Sequence, residues 1–301
     1  MSSEIVNPTP TRAVERTSAQ VQPGSSILNK LPDIVAIAVL SVGALIMLLP
    51  FLWMFATSLR PIQESFRLPP AWFPTEFHFE TYAAVFDSSV PLLAFASNSI
   101  KVTFFVTLGQ LVTCSMAGYA FARLRFPFRN ALFLLLLASL MVPGQVTIIP
   151  VFIIMRQLKL VDNHLSIILP FLTSAFGVFL LRQFFLTLPQ DLIDAAKIDG
   201  AGPWTTFLRV AIPLAGPSLA ALTIITFNNT WNNYFYPLIF LNTWEKMTLP
   251  LGITALRGYM ASNSASVIMA AVTLAILPVL LVFLIGQRWF IAGITRTGIK
   301  G

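Results

Sequence analysis

The chain has 301 residues, of which 56% are hydrophobic and only 10% charged, with a mean hydropathy of +0.79 and a net charge of +7. A soluble domain carries about 25% charged residues, so this composition excludes an ordinary soluble fold and predicts an all-α polytopic membrane protein. The positive charge does not indicate nucleic acid, because the basic residues are dispersed between apolar stretches and form no stripe.

Residues 1–32 are rich in Ser, Thr, Pro and Gln and are predicted to be a disordered cytosolic tail, with a transmembrane domain over 33–301. The first apolar run starts too far in for a signal peptide, so it is read as an uncleaved anchor. About 20 apolar residues cross a bilayer as a helix. Six candidates satisfy this, at roughly 34–58, 95–121, 131–155, 165–187, 214–241 and 267–287. Pro143-Gly144 and Pro150 interrupt the third, Pro170 the fourth, Pro217 the start of the fifth and Pro278 the sixth. Breaks of this kind free backbone carbonyls, which must face neighbouring helices or a wet cavity rather than lipid.

Lys and Arg set the direction. Arg12, Arg16, Lys30, Arg123, Arg125, Arg129, Arg182, Lys197, Arg209, Arg288, Arg296 and Lys300 fall on one side; Arg60, Arg67, Arg156, Lys159, Lys246 and Arg257 fall on the other. The richer side is cytosolic, and both termini lie there. Lys101 is left inside a span, near enough to the outer surface for its head to snorkel outward. The outer segment 60–94 carries Phe66, Trp72, Phe73, Phe77, Phe79, Tyr82 and Phe86, which suits an interfacial belt or half-buried helix.

Cys114 is the only cysteine, so no intrachain disulfide is possible. His78 and His164 have no ligand-like spacing, and no metal site is expected. The chain has no GxxxxGK[ST] phosphate loop, no HExxH, no GxSxG and no TVGYG filter. No Asp or Glu lies inside a proposed span, which counts against a self-sufficient secondary carrier or channel, the alternative reading. Energy for transport then comes from outside the chain.

Between the fourth and fifth spans lies an amphipathic charged segment, 188–213. Pro189 ends one helix, Asp191 and Asp194 complement the dipole of the next, Gly200 and Gly202 supply a turn, and Pro203 opens a second short helix. Trp204, Phe207, Leu208 and Ala211 fall at i, i+3, i+4 and i+7, predicting one apolar face that Pro213 terminates. Such a pair either docks on another protein or lies flat on lipid head groups. In the fifth span, Asn229, Asn232, Asn233 and Tyr236 also fall at i, i+3, i+4 and i+7, beside Trp231. Amides hydrogen-bond hydroxyls in both senses and aromatic faces stack on sugar rings, so the stripe suits an uncharged polyol. Interhelical asparagine glue is the other reading of the same stripe.

The charged segment resembles the EAA loop of permease subunits of binding-protein-dependent ABC importers, in which Glu-Ala-Ala, three residues, Gly, and nine residues precede Ile-x-Leu-Pro. Here Asp194-Ala195-Ala196 is followed by three residues and Gly200, and nine more lead to Val210-Ala211-Ile212-Pro213. The resemblance extends through the six spans and the Met141-Val142-Pro143-Gly144 break, and is strongest to the maltose-transporter type of the carbohydrate-uptake branch. It implies an ABC type I importer fold and a non-catalytic chain in the prokaryotic cytoplasmic (inner) membrane. It also implies a second permease, identical or not, an extracytoplasmic solute-binding protein, and two cytosolic ATPase subunits that bind ATP and Mg. By the same resemblance, Asp194, Ala195, Ala196, Asp199, Gly200, Trp204, Phe207 and Pro213 form the ATPase-coupling set, and the tail from Arg288 to Gly301 is expected to touch the ATPases.

Overall fold

The computed structural model describes residues 27–61, 76–87, 91–259 and 265–297. The tail before residue 27, with Arg12 and Arg16, lies outside the described residues, as do Phe66, Arg67, Trp72, Phe73 and Lys300; so do the side chains of Lys30, Arg257, Arg288 and Arg296. The chain divides into two compact units, 1–51 and 52–301. Helix α1, Ile27–Ser58, begins inside the stretch expected as tail. From Ile34 to Phe51 it carries no charged residue, and its large apolar side chains there are exposed all round, as a lipid-facing span requires.

In the second unit every regular element among the described residues is helical. Short α2, Glu80–Asp87, precedes α3, Leu92–Arg123, a 32-residue helix without proline that forms the axis of the unit. Next come α4 (Arg129–Ala138), extended by a tight turn Ser139–Met141, then α5 (Ile148–Gln157), α6 (Leu165–Ile168) and α7 (Ala175–Thr187). The α3–α7 seam is close because Gly118 faces α7: a Cβ there would stand 3.0 Å from the Leu181 Cβ and 3.0 Å from the Arg182 amide nitrogen. Small residues permit such approach where helices associate in lipid. Cys114, Leu181 and Phe185 are fully buried at this seam.

Four of the six expected spans are long and apolar enough to cross a membrane among the described residues, 33–58, 92–123, 165–187 and 265–287. Where the fifth was expected, at 214–241, Gly216–Trp231 follows Pro203–Leu214 at a bend of 76°, and the two make a fifth span only when taken together. The expected third span is instead two shorter apolar helices, α4 and α5, separated at Pro143-Gly144. Proline removes an amide donor, and the chain resolves this by accepting donors from side chains. The Gly144 carbonyl takes the Thr147 hydroxyl at 3.0 Å and the Tyr236 hydroxyl at 3.3 Å. The fourth span breaks between α6 and α7, after Pro170, and α3 supplies the missing donors. Gln110 Nε2 donates to the Phe171 carbonyl at 3.0 Å, Thr113 Oγ1 to Leu172 at 2.6 Å, and the Cys114 thiol to Ser174 at 3.5 Å. Ser174 then caps α7 by accepting the Gly177 amide.

After α7 come α8 (Gln190–Ile198), the bent pair, α12 (Phe235–Phe240), α13 (Leu249–Tyr259) and α14 (Ala265–Thr297). Within the pair, α9 is Pro203–Thr206, a widened turn covers Phe207–Ala211, α10 is Ile212–Leu214 and α11 is Gly216–Trp231. The two ends of α3 each hold a loop. At its start Asn98 Nδ2 donates to the Glu245 and Met247 carbonyls, and Ser99 Oγ accepts the Leu249 amide. Its last residue, Arg123, grips the 185–190 segment.

Asp162 knots the loops at the Asn98 end. It adopts a left-handed backbone (φ 60°), and its carboxylate accepts the Asn242 and Thr243 amides at 2.9 Å, the Lys246 ammonium at 2.8 Å and the Thr243 hydroxyl. Beside it His164 donates Nε2–H to the Lys246 carbonyl at 2.9 Å, leaving Nδ1 to face the exposed Lys101 ammonium at 3.5 Å. Burial pushes the Asp162 carboxyl up, but the bonds from Lys246, Thr243 and Asn242 outweigh it and hold the group well below the usual carboxylate range. A depressed carboxyl contributes stability above its unfolded value of 3.8, lost only as pH falls through the lower folded value. Asp162→Ala should therefore cost about 1–2 kcal/mol at neutral pH, since it leaves several donors unmatched at a partly exposed site. A fall in the thermal midpoint of detergent-solubilised protein at pH 7 checks this. An unchanged midpoint would mean the knot is dispensable.

Candidate coupling loop and solute cavity

The 188–213 segment folds as the two short helices its glycines and prolines dictate. In α8 only Ile193 is buried; Asp191, Asp194, Ala195 and Asp199 are exposed. Asp194 Oδ1 accepts Lys197 Nζ at 2.8 Å and Gln190 Nε2 at 3.1 Å. Those two bonds, Lys197 first, hold its carboxyl below the ordinary value. At the end of α8 the Ala201 amide reaches back to the Ala196 carbonyl at 2.9 Å, and the Gly200 amide to Lys197 at 3.0 Å. This pair of bonds closes a helix through a left-handed residue, and Gly200 sits there with φ 80°. Nothing lies within 4 Å of the place a Cβ would take. On the two sides of the turn Ile198 is 86% exposed and Trp204 58%, a large apolar area for a loop this charged.

The single apolar face expected from Trp204, Phe207, Leu208 and Ala211 is divided. Phe207 (4% exposed) and Ala211 are buried, whereas Trp204 and Leu208 are exposed. Phe207 packs against Tyr119 and Phe185, whereas Trp204 rests on Phe207 with ring centroids 5.4 Å apart, and a widened turn over Phe207–Ala211 follows. Pro213 does not terminate the helix as expected. It lies inside α10, and the bend follows at Ala215. The loop is anchored by aromatic contacts from α3 and α7: Tyr119 lies 5.1 Å from the Phe207 ring and 5.6 Å from that of Phe185.

A second feature is a cavity of about 430 Å³ between α3, the α6–α7 break and α11. Its polar lining includes Thr103, Gln110, Thr226, Asn229, Asn233 and Thr248, and among the described residues no ionisable side chain contributes. Gln110 is fixed from both ends, donating to Phe171 and accepting the Thr226 hydroxyl at 2.8 Å. The Thr103 and Thr248 hydroxyls are buried and have no hydrogen-bond partner among the described residues.

The expected asparagine stripe does not form one face, because α11 ends at Trp231 and the chain turns at Asn232 before α12 begins. Asn229 and Asn233 reach the cavity. Asn232 instead bonds back to Asn228, at 2.9 Å to the carbonyl and 3.0 Å to the side chain. Trp231 is buried away from the cavity lining, stacked on Phe227 and donating Nε1–H to the Ala275 carbonyl at 3.0 Å. Tyr236 packs edge-on against Phe171 at 4.6 Å and holds the Gly144 carbonyl. The cavity residues of α3 escaped notice in the sequence, although Ser99, Thr103, Thr107 and Gln110 recur there at three- and four-residue steps, a polar stripe along an apolar span.

Comparison with known proteins gives the family. Residues 114–296 match the family described as binding-protein-dependent transport system inner membrane component. The chain is 35% identical to the arabinooligosaccharides transport system permease protein AraQ of Halalkalibacterium halodurans, over 86% of this chain and 93% of that one. It is 33% identical to the sn-glycerol-3-phosphate transport system permease protein UgpE of Yersinia enterocolitica (87% and 95% covered). To the lactose transport system permease protein LacG of Rhizobium radiobacter it is 35% identical (89% and 97%). Among solved structures it resembles a bacterial ABC transporter involved in the import of the acidic polysaccharide alginate, with a TM-score of 0.77, 26% identity, and 89% and 99% coverage. The chain belongs to the family of binding-protein-dependent transport system inner membrane components.

Proposed function

We propose that this chain is the non-catalytic permease subunit of an ATP-driven importer that passes a sugar or related polyol. It crosses the cytoplasmic membrane six times, with both ends and the 188–213 loop cytosolic. A second permease, identical or different, completes the pathway. Two ATPase subunits bind ATP and Mg and engage the coupling set Asp194, Ala195, Ala196, Asp199, Gly200, Trp204, Phe207 and Pro213. An extracytoplasmic binding protein delivers the solute.

The observation that carries this reading is the loop itself: an exposed Ile198 and Trp204 beside a turn that only a glycine fits comfortably, rooted on α3 and α7. The relatives named for arabinooligosaccharides and lactose support a neutral carbohydrate over the glycerol phosphate of the third, because no ionisable side chain among the described residues lines the cavity. The test is uptake by the assembled transporter in proteoliposomes, with labelled arabino-oligosaccharide, lactose and sn-glycerol 3-phosphate offered in turn. Uptake of a neutral sugar that requires ATP is expected. Uptake driven by an ion gradient without ATP overturns the reading, and preference for the phosphate overturns the solute class.

A further inference from the structure

The α7–α8 joint, through which the loop leaves the bundle, has a gap in its backbone bonding. In helical bonding the Phe185 carbonyl would accept the amide of residue 189, which is a proline and has no amide hydrogen to give. Leu188 and Pro189 are extended (ψ 135° for both), so helical bonding does not continue across the joint. Arg123 closes it from another helix. Its Nε donates to the Phe185 carbonyl at 2.8 Å, one terminal nitrogen to the Leu188 carbonyl, and the other to the Gln190 side-chain oxygen at 2.8 Å. A guanidinium is a rigid planar fork, so three simultaneous acceptors fix the joint in angle as well as distance. Gln190 in turn donates to Asp194, the acidic residue of the coupling motif.

The same helix carries the opposite wall of the path. Arg123 ends α3, Tyr119 one turn earlier holds both Phe185 and Phe207, and Gln110 and Thr103 further back line the cavity. We propose that Arg123 is the positioning residue that converts displacement of α8 into movement of α3, and so of the cavity wall. This rests on the permease reading above and adds the transmitting residue to it. The route is Asp194 to Gln190 to Arg123, then along a helix with no proline to absorb the motion.

The experiment uses the complete transporter, purified and reconstituted, with Arg123→Gln, Arg123→Lys and Gln190→Glu. The last is exposed and keeps an acceptor for Arg123 while replacing the donor to Asp194 with a carboxylate that repels it, so it cuts the route at Asp194 and leaves the Arg123 contact in place. Each variant should co-purify with the ATPase and hydrolyse ATP near the wild-type rate. Solute moved per ATP should fall roughly tenfold in Arg123→Gln and Gln190→Glu, within the usual range of coupling between sites. Arg123→Lys should fall between, since an ammonium can serve one of the three acceptors with correct geometry. Uptake and hydrolysis declining in equal proportion would reduce Arg123 to a structural brace, and undiminished uptake in Gln190→Glu would overturn the route even if Arg123→Gln is not recovered from membranes. Failure of the permease reading would show in the wild-type chain instead, as absence of ATP-dependent uptake.

Discussion

Replacing Gly200 with valine should abolish productive coupling while leaving the protein in the membrane. The residue sits at φ 80°, where a side chain with a Cβ costs about 1–2 kcal/mol and a β-branched one more. Space is not the obstacle, because nothing lies within 4 Å of the new Cβ. The strain is in the backbone, and its cheapest relief is to rotate the turn and give up the Ala201-to-Ala196 and Gly200-to-Lys197 bonds. Rotation would redirect α8 relative to α9, so Ile198 and Trp204 would no longer present together. Uptake should fall by about tenfold or more, since 1.4 kcal/mol already corresponds to that factor. Gly200→Asn is the control, because asparagine tolerates the left-handed region, and it should retain most uptake. Membrane abundance, ATPase co-purification and uptake are measured together. Full uptake by Gly200→Val would show that the turn plays no part in coupling, and equal loss in both variants would point to contact rather than backbone shape.

How much of this could be read in advance depended on whether the signal was local. The Gly200 turn and α8 were legible because helix stops, proline positions and the spacing from Asp194 to Gly200 are properties of neighbouring residues. The break at Pro143-Gly144 was legible too, but not that it would separate two short helices, since that depends on Tyr236 arriving from far along the chain to hold the Gly144 carbonyl. The divided face of Phe207 and Trp204 required knowing that Tyr119 and Phe185 arrive from other helices to bury Phe207, which no periodicity announces. Reading Asn229 to Tyr236 as one stripe assumed an unbroken helix. Once the chain turns at Asn232, Trp231 belongs to packing against α14 through Ala275, and only Asn229 and Asn233 keep the cavity. The α3 stripe was the avoidable omission, because hydroxyls at Thr103 and Thr107 and the Gln110 amide in an apolar span need a reason.

Thr103 and Thr248 give the sharpest test of that reason. Their side chains are 1% and 4% exposed, line the cavity, and hold hydroxyls without partners among the described residues. A buried unpaired hydroxyl costs about 1–3 kcal/mol, so each destabilises the resting fold. Valine has the same branching without the polar atom. Thr103→Val and Thr248→Val should therefore raise the thermal midpoint in detergent, by the equivalent of about 1 kcal/mol. If the hydroxyls are there to meet those of the solute, the same changes should weaken transport affinity, raising the apparent KM roughly tenfold because the solute is left with an unmatched group. Thr107 supplies the internal control. Its hydroxyl is equally unpartnered and lies one turn further along α3, yet it does not line the cavity. Thr107→Val should stabilise with no change in KM. A structural role for Thr103 predicts the opposite pairing, a lowered midpoint with unaltered KM, and the two outcomes separate in a single set of measurements on three proteins.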